Sequence, residues 1–88
     1  MAEERKGVPG EGTQQIQNLF GTGDENVRVL ERMMGVHISL RSGEIVVEGE
    51  DEAAVDGAHA ILTKMMALLA RGERVDTAIV RMAVTLFE

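Results

Sequence analysis

Three sets of side chains in this chain of 88 residues are of types that do chemistry. Arg28 and Arg32 stand one helical turn apart, and Arg41 falls on the outward side of a strand pattern, so three guanidinium forks could converge on phosphate oxygens of an RNA. The formal charge of −6 opposes such binding, which is driven by phosphate neutralisation, and any RNA contact is expected to be local and weak. Phe20 and Phe87 are the only aromatic residues, too few for a surface that stacks several bases. The same arginines could simply be solvated and paired with Glu25 and Glu31.

Asp51, Glu52 and Asp56 resemble a carboxylate pair for acid–base work, but their place at the start of a long helix is explained by the helix dipole. His37 and His59 have no third ligand at zinc spacing, and with no cysteine there is neither a disulfide framework nor a thiolate metal site. Gly21-Thr22-Gly23-Asp24 lacks the spacing and the lysine of a phosphate loop, and Asp24 would repel an anion. The expectation is therefore no catalytic, cofactor-binding or metal-ligating residue. Met33, Met34, Met65, Met66 and Met82 read as adaptable core or interface filler.

These residues must be positioned by a small set of elements. Leu19–Gly49 reads as strand, glycine turn, helix, strand, two-residue turn, strand. Asp24 is the expected N-cap, Val27, Leu30 and Met34 recur at helical spacing, and Gly35 offers a left-handed stop. Val36, Ile38 and Leu40 then alternate with His37, Ser39 and Arg41 before Ser42-Gly43 reverses the chain into Glu44–Glu48. A long helix follows, ended by Gly72, and Asp76 caps a last helix running toward Glu88.

That last helix carries two apolar stripes. Val80, Ala83, Val84 and Phe87 form one, and Ile79, Met82 and Leu86 form a second that one small sheet cannot also cover. Ile79, Met82 and Leu86 are therefore candidate interface residues. The periodic pattern runs to the last residue without a stop signal, so the chain is expected to be an N-terminal piece of a longer protein. Residues 1–13, which hold the only proline, read as a flexible leader, and residues 14–88 as one α+β domain. Its expected architecture is a three-stranded sheet with helices on one face in the order β-α-β-β-α-α. No signal peptide or membrane span is expected, and the absence of cysteine suits a cytoplasmic protein.

Asn18-Leu19-Phe20-Gly21, Asp24-Glu25-Asn26, Leu30-Glu31, Gly35–Ile38, Val46–Gly49 and the Arg71-Gly72 to Asp76 junction, in this order and spacing, resemble the N-terminal domain of bacterial PhoH-like ATPases. The resemblance covers residues 14–88 and implies a P-loop ATPase domain downstream, which would use ATP and magnesium, in a family associated with RNA metabolism. It implies for this segment a noncatalytic accessory role, either assembling copies or docking on its own ATPase domain. The element order is also similar to a reduced KH domain, which would make Arg28, Arg32 and Arg41 RNA contacts. The G-x-x-G loop with which KH domains clamp nucleic acid is missing.

Overall fold

The computed structural model describes residues 4–9 and 13–87. A three-stranded antiparallel sheet has the order β1-β3-β2, formed by β1 (Glu4–Pro9), β2 (His37–Arg41) and β3 (Glu44–Gly49). The helices are α1 (Thr13–Phe20), α2 (Glu25–Met34), α3 (Glu52–Ala70) and α4 (Thr77–Phe87), and a short 3₁₀ turn at Thr22–Asp24 joins α1 to α2.

The expected order β-α-β-β-α-α is overturned: the described elements run β-α-α-β-β-α-α. The segment around Leu19-Phe20, expected as the first strand, is helix α1. Ile16, Leu19 and Phe20 fall at i, i+3 and i+4, which gathers them on one side of a helix, and Leu19 is fully buried in the core. The strand that completes the sheet comes instead from within the expected leader. Glu4–Pro9 pairs with β3 in the register Glu4↔Gly49 to Pro9↔Glu44.

Local chemistry explains most boundaries. Gly35 ends α2 at φ 69°, and its N–H reaches the Glu31 carbonyl at 2.8 Å. Ser42 and Gly43, at φ 53° and 77°, form the two-residue turn between β2 and β3. Asp51 caps α3 by accepting from the Ala53 N–H at 3.0 Å, and Asp76 caps α4 by accepting from the Ile79 N–H at 3.0 Å. Asp24 is a correction: it adopts a left-handed conformation at φ 60° and its side chain caps nothing.

Core residues Ile38 of β2 and Ile45 and Val47 of β3 point to the helical side of the sheet. Against them lie Val55, Ala58, Ile61, Leu62, Met65 and Met66 of α3 and Val27 and Leu30 of α2. The length and hydropathy of α3 would suit a membrane span, yet here it is the central helix of this core. Helix α4 packs on α2 and α3 through the buried Val80 and Val84.

Each edge of the sheet is met by a helix side chain. The Ile38 N–H donates to Glu31 Oε2 at 2.7 Å on the β2 side, and His59 Nε2 lies 3.1 Å from the Gly7 carbonyl on the β1 side. Such contacts limit strand addition at exposed edges.

Candidate functional site

The three arginines expected to act together are divided by the fold. Arg28 and Arg32 project from one side of α2 into a shallow cleft of about 350 Å³, which Glu31, Val36 and His37 also line. Glu31 sits in the middle of this group. Its carboxylate accepts from the Ile38 N–H and lies 3.4 Å from His37 Nδ1, so the cleft contains a fixed negative charge beside its two guanidinium groups. An incoming phosphate would meet that carboxylate as well as the arginines.

Arg41 lies at the other end of β2 and is engaged there. Its Nη2 is 3.4 Å from Glu48 Oε1, although its direct cross-strand neighbour is Glu44. The bridge therefore runs along the strands over the Ser39–Val46 pair. Val46, on the face away from the helices, is only 5% exposed. Arg41 is thus held by Glu48 and does not join Arg28 and Arg32.

The glycine-rich turn has a structural task. Gly21 adopts φ 80° and ψ 178°, and a Cβ there would stand 2.8 Å from Asn26 Nδ2. Asn26, 3% exposed, donates to the Leu19 carbonyl at 3.0 Å and to the Val75 carbonyl at 3.4 Å. One amide thus ties the end of α1 to the α3–α4 connection. Asp24 puts a carboxylate beside this turn at the start of α2, where it disfavours an anion.

The expected interface on α4 is partly realised. Ile79 is half-buried against the core, whereas Met82 is 58% and Leu86 79% exposed. Phe87, assigned from the sequence to the inward stripe, is 50% exposed and borders a groove between α3 and α4. The signal that could have found it is Gly57: a Cβ there would meet the Phe87 ring at 2.6 Å, so the ring lies across α3 at the residue with no side chain. Met82, Leu86 and Phe87 leave this end of α4 the most apolar exposed part of the described surface.

No protein-family profile and no solved structure matches the chain. Its sequence is similar to a PhoH-like protein of Mycobacterium leprae, with 31% identity over 71 residues, and to PhoH-like proteins of Mycobacterium bovis and Mycobacterium tuberculosis, each with 30% identity over 71 residues. The match takes in 81% of this chain and 20% of each relative, so the chain spans about a fifth of the length of the curated relatives it matches. The chain is therefore related in sequence to one segment of PhoH-like proteins.

Proposed function

We propose that this chain is a noncatalytic accessory module of a cytoplasmic PhoH-like protein and that it docks through the exposed end of α4. The observation that carries this reading is the exposure of Met82, Leu86 and Phe87 on one short helix of a small domain. Fully burying a large apolar side chain contributes about 1.5–3 kcal/mol, so covering Met82 and Leu86 alone supplies a useful share of a docking free energy. The partner surface lies, in this reading, in the part of a PhoH-like protein that the chain does not match, and the similarity to one fifth of the relatives supports it. In this reading ATP and magnesium are handled by that remainder, as an ATPase domain, and this chain contributes contact surface alone.

The test is isothermal titration of the chain into the Mycobacterium leprae relative from which the matching segment has been deleted. Saturable binding that is lost in Met82→Glu/Leu86→Glu is the expected result. No binding, or binding unaffected by the double substitution, overturns the reading.

A further inference from the structure

The groove beside that surface has a chemical character of its own. It is bounded by Ala60, Ile61 and Lys64 of α3 and by Ala83, Leu86 and Phe87 of α4, and encloses about 340 Å³. Its floor is made of small and aliphatic side chains, and the Phe87 ring closes one end against Gly57. Alanines on both walls leave room for the backbone of a third helix to approach, the geometry by which an amphipathic helix lies in a groove.

Charge sets the kind of helix. Lys64 is the only charged residue among the described residues that border the groove. The chain has 15 carboxylate residues, yet α3 beyond Asp56 and α4 contain none, and Glu88 lies outside the described residues. The described border of the groove is thus basic in an otherwise acidic chain.

Resting on the docking reading above, we infer that the α3–α4 groove receives an acidic amphipathic helix, whose apolar side chains pack beside Leu86 while a flanking carboxylate pairs with Lys64. The partner is thereby defined as a protein segment with apolar residues at i, i+3 or i+4 and glutamate or aspartate along the border of that stripe.

The test uses the 88-residue chain and two short peptides, each with leucines at helical spacing, flanked in one by glutamates and in the other by lysines. Binding is followed by NMR at Ala60, Ile61, Ala83 and Leu86. The glutamate peptide is expected to bind about five-fold more tightly than the lysine peptide, a difference on the scale of one exposed ion pair. Lys64→Gln should abolish the preference and Lys64→Glu should reverse it; Lys64 is exposed, so both variants keep the fold. Equal binding of the two peptides, with both lost in Leu86→Glu, overturns the acidic partner and leaves docking at the groove standing. Peptide binding that leaves the groove resonances unmoved overturns the site. Groove resonances that shift with protein concentration alone identify a second copy as the occupant and also overturn the inference.

Discussion

Asn26 gives the sharpest stability prediction, because its amide is buried and its two acceptors come from distant parts of the chain. Asn26→Asp keeps the shape and removes the donor. The introduced carboxylate would face the Leu19 and Val75 carbonyl oxygens at the distances the amide nitrogen now holds, 3.0 and 3.4 Å, in a site that is 3% exposed. An uncompensated buried charge costs about 3–5 kcal/mol. Asn26→Ala leaves the same carbonyls unpaired, which costs about 1–3 kcal/mol each, less for Val75 because its bond is long. It also removes Asn26 Oδ1, a buried acceptor with no partner, which offsets part of that loss. The expected order is therefore wild type, then Ala at about 2 kcal/mol, then Asp at about 4 kcal/mol below wild type. A domain of this size has a total stability of roughly 4–13 kcal/mol, so the Asp variant loses a large part of it. Urea unfolding reads this as a fall in midpoint of about 2–3 M at a slope near 1.5 kcal/mol per molar. The sign with pH is also fixed. Burial and two facing acceptors raise the introduced carboxyl above its unfolded value, so its protonated form restores a donor, and the deficit against wild type shrinks as pH falls. An Asp variant within about 1 kcal/mol of wild type at neutral pH, or one whose deficit does not change on acidification, refutes the role given to Asn26.

Three further outcomes follow from the same geometry. Gly21→Ala should lower stability by about 1–3 kcal/mol, since a methyl group there strains the backbone and meets Asn26 at 2.8 Å; thermal unfolding checks it, and an unchanged midpoint contradicts it. Isothermal titration with magnesium-ATP should show no micromolar binding to the 88-residue chain, because Gly21–Asp24 lacks the spacing and the lysine of a phosphate loop and ends in a carboxylate. Fluorescence anisotropy with short single-stranded RNA should show little association near physiological salt; tight binding lost in Arg28→Glu/Arg32→Glu would restore an RNA-binding role to the α2 cleft.

The parts of the fold legible in the sequence are those decided locally. Ser42-Gly43 between two alternating runs fixes the β2–β3 hairpin, and Asp51 and Asp76 announce the starts of α3 and α4 through the hydrogen bonds that their side chains accept. Strand β1 was not legible. It contains Gly7 and Pro9, which disfavour strands, and it forms by pairing with residues some forty positions away, where His59 also meets it. Helix α1 was open to a strand reading because its apolar run is short, and only the burial of Leu19 with Ile16 and Phe20 on the same side selects the helix.

The candidate sites divide in the same way. Spacing along α2 brings Arg28 and Arg32 to one cleft, as a helical turn must, but the Arg41–Glu48 contact depends on strand register. On α4 the excess of apolar residues was legible, whereas its partition was not. Ile79 turns toward the core, and Phe87 stays half-exposed with its ring laid across α3 at Gly57.

Docking through the end of α4 can be read from the methionine methyl groups. Met82 on α4 and Met33 on α2 are both exposed, while Met65 on α3 is buried. The chain is labelled at its methionine methyls and titrated with the Mycobacterium leprae PhoH-like protein lacking its matching segment, and the spectrum is followed to saturation. If the end of α4 is the docking surface, the Met82 methyl shifts or broadens while those of Met33 and Met65 stay in place. A Met82 methyl that does not move, or a response confined to Met33, contradicts it.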